Sequence, residues 1–155
     1  MLIHPGRVGR IGPGVTAATP QVLDGLSASP AAAYSLRKLR AGYSGSAIRV
    51  RRSNDNAEAD IGFSGADLDT AALVSHVGAN SGFIVTWYDQ SGNGRNASQG
   101  TTASQPRIRN SGTTDTLGSL PTLLFNGSYD MVSSQFTGGF SQFSAVSVAT
   151  MDTGV

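Results

Sequence analysis

The feature that most constrains this chain is Phe83-Ile-Val-Thr-Trp-Tyr88 running directly into Asp89-Gln-Ser-Gly-Asn-Gly-Arg-Asn-Ala97. β-Branched and aromatic residues make the first half a strand, and the Ser-Gly-Asn-Gly that follows ends it in a fixed turn. Gly92 and Gly94 can take positive φ there, which lets Asp89, Gln90 and Asn93 turn back onto nearby backbone groups. A self-capped structural turn is one expectation. The other is a ligand site, with Asp89 and Asn93 as oxygen donors to a small cation or to sugar hydroxyls. Calcium is the candidate ion and no other cofactor is expected, although a calcium site needs about six oxygens and the Asp-x-Asp-x-Asp spacing is absent.

Other segments have their own signals. Ser29-Pro-Ala-Ala-Ala-Tyr-Ser-Leu-Arg-Lys-Leu-Arg40 has a Ser cap, an early Pro and a basic end before Gly42, which predicts a helix. Its basic trio, Arg37, Lys38 and Arg40, reads as a solvated face. Ala47–Arg52 alternates and predicts a strand with Ile48 and Val50 inward, and with Arg49 and Arg51 outward to meet Glu58 and Asp60 across a hairpin. Asp67–Gly78 predicts a second short helix, with His76 as a dipole-compatible residue in its last turn. Arg107–Arg109, Thr122–Phe125 and Phe143–Ala149 read as further strands, with a reversal at Asn126-Gly127.

Twenty glycines, one Lys and one Glu favour short strands and tight turns. At 155 residues with 39% hydrophobic content, the chain is one domain's worth. A net charge of +1 gives no support to a nucleic-acid partner, and no apolar run reaches the roughly 20 residues of a membrane span. Zero cysteines exclude disulfides, and two histidines are too few for an ordinary zinc site. Residues 1–30, rich in Gly and Pro, read as an extended arm in which Arg7, Arg10, Pro13 and Pro20 would dock on an assembly; residues 31–155 form the domain proper. No signal-peptide run is present at Met1, so a soluble protein made in the cytoplasm and not secreted by that route is expected.

Taken in order, Tyr34-Ser-Leu-Arg-Lys-Leu-Arg40, Tyr43-Ser-Gly-Ser-Ala-Ile-Arg-Val-Arg-Arg-Ser53, Asp60-Ile-Gly-Phe63 and the Trp87–Ala97 loop resemble the start of the α-L-arabinofuranosidase B catalytic domain over roughly residues 31 to 99. Similar sequence also occurs in bacteriophage tail and virion proteins. The resemblance implies a mainly β fold, a concanavalin-lectin-like jelly-roll sandwich with two short helices and the N-terminal arm. It also implies that the family's nucleophile, acid and adjacent cysteine pair lie further along the domain than Val155. No catalytic residue carries over by position, and catalysis needs two facing carboxyl groups that the turns here do not announce. The expectation is therefore a noncatalytic bacteriophage virion component, a tail fibre or spike or a capsid decoration, assembled in the host cytoplasm as a homo-oligomer. Its arm would contact other virion proteins, and Trp87, Tyr88, Asp89, Asn93 and Tyr129 would bind a host-surface glycan. An α-L-arabinofuranosidase-like glycosidase, or a fragment of one, is the alternative.

Overall fold

The computed structural model describes residues 19–133. Twelve elements follow in order: β1 (Ile48–Arg52), β2 (Glu58–Ile61), β3 (Phe63–Ser64), β4 (Asp67–Leu68), α1 (Thr70–Val77), β5 (Gly82–Trp87), β6 (Ala97–Ser98), β7 (Arg107–Asn110), β8 (Thr113–Thr114), β9 (Thr116–Leu117), β10 (Leu120–Pro121) and β11 (Val132–Ser133). The fold is mainly β with antiparallel pairing, as a sandwich requires. The main sheet runs β11-β6-β5-β1-β2. Strands β6 and β7 share one edge of β5, β6 along Thr86–Trp87 and β7 along Gly82–Phe83. The expected strand at Phe143–Ala149 lies outside the described residues, as do Arg7, Arg10 and Pro13 of the arm; Pro20 is exposed.

Alternation in β1 does what the pattern predicts. Ile48 and Val50 are fully buried and join Ala47, Ile61, Leu68, Ile84 and Ile108 against Leu73 and Val77 of α1. Each such aliphatic side chain contributes roughly 1.5–3 kcal/mol relative to an exposed one. Gly82 lets the helix close onto the sheet, since a Cβ there would lie 3.0 Å from Val77 and 3.2 Å from Val50. On the outer face Arg49 meets Glu58 at 2.9 Å and Asp60 at 3.7 Å, as expected. Arg51 does not meet a carboxylate: it donates to Gln105 at 2.7 Å and Asn56 at 2.9 Å and lies 5.1 Å from the Phe83 ring centre.

Helix α1 is shorter than the sequence suggests. Asp69 caps it, its carboxylate accepting from Ala72 N at 2.9 Å, and Asp67–Leu68 pairs instead with Phe63–Ser64. His76 is in the last turn, within 3.1 Å of the Val50 carbonyl. The stretch Thr122–Phe125 is a single bridge, Leu124 to Arg107, rather than a strand.

The larger correction concerns residues 30–40. No helix forms there, so the described residues hold one α-helix and not two. The segment is an open strap laid across the sheet end. Its backbone groups bond outward: Lys38 N to Ala66 O at 2.8 Å, Leu23 N to Leu39 O at 2.9 Å, and Gln90 N to Ala33 O at 2.7 Å. An isolated helix this short is marginal in water, whereas each of these bonds to a fixed partner adds about 1 kcal/mol. Tertiary partners therefore override the local helix signal. The same bonding draws residues 21–24 onto the domain, with Asp24 accepting from Ala41 N at 3.0 Å and Gln21 N at 2.7 Å.

Candidate functional site

Strand β5 delivers Trp87 and Tyr88 to the loop, and Gly92 and Gly94 hold φ of 95° and 68° in the left-handed region that this reversal needs. Asp89, only 5% exposed, is the keystone. One oxygen accepts from Ala33 N and Ser91 N, both at 2.8 Å; the other accepts from Ser91 Oγ at 2.7 Å and Arg95 N at 3.0 Å. Burial alone would push its carboxyl up, but these four donors outweigh it and hold Asp89 below the usual carboxylate range.

Gln90 is fully buried and faces the strap. Its carbonyl oxygen accepts from Leu39 N at 2.8 Å, and its amide donates to Ser35 O at 2.9 Å and Arg37 O at 3.0 Å. Asn93 donates to Pro30 O at 3.0 Å and Ala31 O at 3.1 Å, and the Tyr34 hydroxyl donates to Arg95 O. The loop is thus a clamp whose polar atoms reach backbone groups more than 50 residues away. Donor hydrogens point at both Asp89 oxygens where a cation would have to sit, Asn93 presents its nitrogen, and the described residues contain no group of three or more His, Cys, Asp or Glu side chains suited to a metal.

The five residues expected to bind sugar are not brought together. Trp87 is half-buried against the core, its ring 5.8 Å from Tyr34. Tyr88 lies on the outer sheet face and donates to Asp60 at 2.8 Å; burial, then this bond, raises its pKa. Tyr129 sits in the turn made by Asn126, whose side chain accepts from Ser128 N and Tyr129 N at 3.0 and 3.1 Å. Asp89 and Asn93 belong to the clamp.

Every carboxylate among the described residues already has a partner. Arg37 holds Asp67, Arg49 holds Glu58 and Asp60, Arg52 holds Asp55, and Arg107 holds Asp115. Asp24, Asp69 and Asp89 bond backbone N–H groups, and Asp130 accepts from the Gln99 amide. Arg49 lies between Glu58 and Asp60, so both belong to an ion-paired patch on the outer sheet face.

Two residues named in the sequence only as part of a family motif, Tyr43 and Gly45, shape the neighbouring surface. Tyr43 folds back over Gly45 and donates to Ser46 O at 2.9 Å, while its ring meets Phe63 edge-on at 6.1 Å. A Cβ on Gly45 would fall 2.6 Å from the phenol oxygen, so Tyr-x-Gly at 43–45 is one packing unit. The sequence signal was the aromatic two residues before a glycine.

Comparison with known proteins supplies what the geometry lacks. The family model described as alpha-L-arabinofuranosidase B, catalytic, matches residues 24–153. No curated protein matches. A solved structure described as a GH54 α-L-arabinofuranosidase soaked with a cyclic sulfate inhibitor is similar at 24% identity and a TM-score of 0.44, over 50% of this chain and 19% of that one. The chain thus spans about a fifth of that protein's length. The family match overturns the expectation of a noncatalytic bacteriophage virion component and favours the glycosidase alternative.

Proposed function

Since the chain belongs to the α-L-arabinofuranosidase B catalytic family, we propose that it works within a glycoside hydrolase that removes α-L-arabinofuranosyl units, its described residues forming the scaffold of the catalytic domain. The match over residues 24–153 carries this reading. The scaffold role is supported by the bonding of the described carboxylates: each is tied to an arginine, a backbone N–H or a side-chain amide, so none is free to serve as the proton donor of hydrolysis. The clamp at Asp89–Asn93 and the Tyr43–Gly45 unit then fix the sheet end on which the rest of a catalytic domain is built.

Placed in an α-L-arabinofuranosidase in exchange for the matching segment, the chain should support release of arabinose from an aryl α-L-arabinofuranoside, and absence of any release would refute the scaffold role in that activity. Asp60→Asn and Glu58→Gln should each keep kcat within a few-fold, because loss of a true general acid or base costs about 10²–10⁴. A thousand-fold loss in either variant would refute the scaffold assignment.

A further inference from the structure

The chain contains two Asn-Gly pairs, Asn93-Gly94 and Asn126-Gly127, and two Asn-Ser pairs, Asn80-Ser81 and Asn110-Ser111. In such pairs the backbone nitrogen after Asn can close a five-membered ring on the side-chain carbonyl carbon, an intramolecular attack that needs an unengaged N–H and an amide nitrogen able to leave. The fold separates the four. Ser81 N donates to Ser53 Oγ at 3.1 Å and Ser111 N to Ser81 Oγ at 3.0 Å, so both of those nucleophiles are engaged. At Asn93 the amide nitrogen is held instead, donating to Pro30 O at 3.0 Å and to Ala31 O and Ser91 Oγ at 3.1 Å. The clamp thus protects its own Asn-Gly pair.

Asn126 is the opposite case. It is exposed, and among the described residues neither its amide nitrogen nor Gly127 N has a hydrogen-bond partner. Its Oδ1 accepts from Ser128 N at 3.0 Å and Tyr129 N at 3.1 Å. Two backbone donors therefore face the oxygen that becomes anionic when Cγ is attacked, as an oxyanion hole does. Gly127 has φ of 84° and stands in open space, with nothing within 4 Å of the position a Cβ would take. No side chain obstructs the attacking nitrogen.

We propose that Asn126 is a self-modifying site, losing its amide through a succinimide formed with Gly127. Gly127 N gives its proton to hydroxide and bonds to Asn126 Cγ; the Cγ–Nδ2 bond breaks, and ammonia leaves with a proton taken from water. Water then opens the ring at either carbonyl, giving an aspartyl or an isoaspartyl linkage. One water is consumed and one ammonia released, with no oxidant or reductant. The product carries a new negative charge, which cancels the chain's formal net charge of +1. The isoaspartyl form also adds a backbone methylene between two anchors, the Leu124–Arg107 bridge and the bond from Asp130 N to Ser104 O at 3.0 Å.

The test incubates the full chain in mildly alkaline buffer, folded and in concentrated urea, and follows amide loss site by site by peptide mass spectrometry. In the folded chain Asn126 should lose its amide at least about tenfold faster than Asn93, Asn80 and Asn110. In urea Asn93 should come within a few-fold of Asn126, because both are then unfolded Asn-Gly pairs. Gly127→Ala, which sets a methyl beside the attacking nitrogen, should slow the folded-state loss about tenfold or more. The product should be a mixture of aspartyl and isoaspartyl peptides resolved by chromatography, whereas direct hydrolysis of the side chain gives the aspartyl form alone. Equal folded-state rates at Asn93 and Asn126, a difference between them that persists in urea, an unchanged rate in Gly127→Ala, or aspartyl product alone would overturn the proposal.

Discussion

Replacing Gln90 by Met keeps the length of a fully buried side chain and removes its amide. Three strap groups then lose their partner: the Leu39 N–H at 2.8 Å, the Ser35 carbonyl at 2.9 Å and the Arg37 carbonyl at 3.0 Å. A buried polar group left unsatisfied costs about 1–3 kcal/mol. The strap is only half-buried, so water reaches some of these groups and the lower end of that range applies to each. Burying the thioether returns about 1 kcal/mol. The expected net loss is therefore about 2–3 kcal/mol, read as a shift in the urea midpoint at unchanged slope. Amide hydrogen exchange should locate the damage at Leu39, with protection lost there while Ile84 in β5 stays protected relative to global stability. Gln90→Glu sharpens the test. Its carboxylate would face two carbonyl oxygens and be disfavoured, so its folded-state pKa must rise. A group with a raised folded pKa gives full stability below its unfolded pKa and loses it as pH rises, so this variant should lie nearer the wild type at about pH 4 than at pH 7. A Gln90→Met loss under about 0.5 kcal/mol, or a Gln90→Glu penalty independent of pH, would refute the clamp.

Gly45→Ala should destabilise by about 1–3 kcal/mol, because the new methyl meets a phenol already tethered to Ser46 O and Phe63; a neutral result in calorimetry would show that Tyr43 swings away freely. Acid should also weaken the fold. The Arg52 guanidinium holds Asp55 down at about 2, and the donors around Asp24 and Asp89 hold those two below the usual range, so their contribution is complete above the unfolded carboxylate pKa and lost as pH falls toward about 2. Melting temperatures from pH 6 to 2 should fall, and Asp55→Asn should flatten the lowest part of the curve; a flat wild-type profile would contradict the assignment.

Strands whose signal is local were legible in the sequence. Phe83–Tyr88 and Ala47–Arg52 appear almost where alternation and β-branching placed them, as Gly82–Trp87 and Ile48–Arg52. The helix expected over Ser29–Arg40 was not realised because cap, alanines and basic end describe only the chain's own preferences, and the competing acceptors and donors sit on Gln90, Asp89, Asn93 and Ala66. The same distance hid the role of the polar loop. Side chains that looked free to take a ligand were aimed at backbone atoms invisible in a linear reading. Similarly, Asp67 was read as a helix start because acids favour that position, but pairing with Ser64 and the ion pair to Arg37 claim it for a hairpin. The family motifs were legible as well; the virion function attached to them was not supported by the residues themselves.

The strap is made before its clamp. During synthesis residues 30–40 emerge some 50 positions ahead of Gln90, so for several seconds at about 5–20 residues per second they have only their local preference to follow, and that preference is helical. A helix of this length is marginal on its own, so the Ser35 and Arg37 carbonyls and the Leu39 N–H find lasting partners only once Gln90 arrives. Docking of the strap is then the late step of assembly, and a substitution that strengthens its helix, such as Ser35→Ala, would slow folding without touching any contact of the sheet.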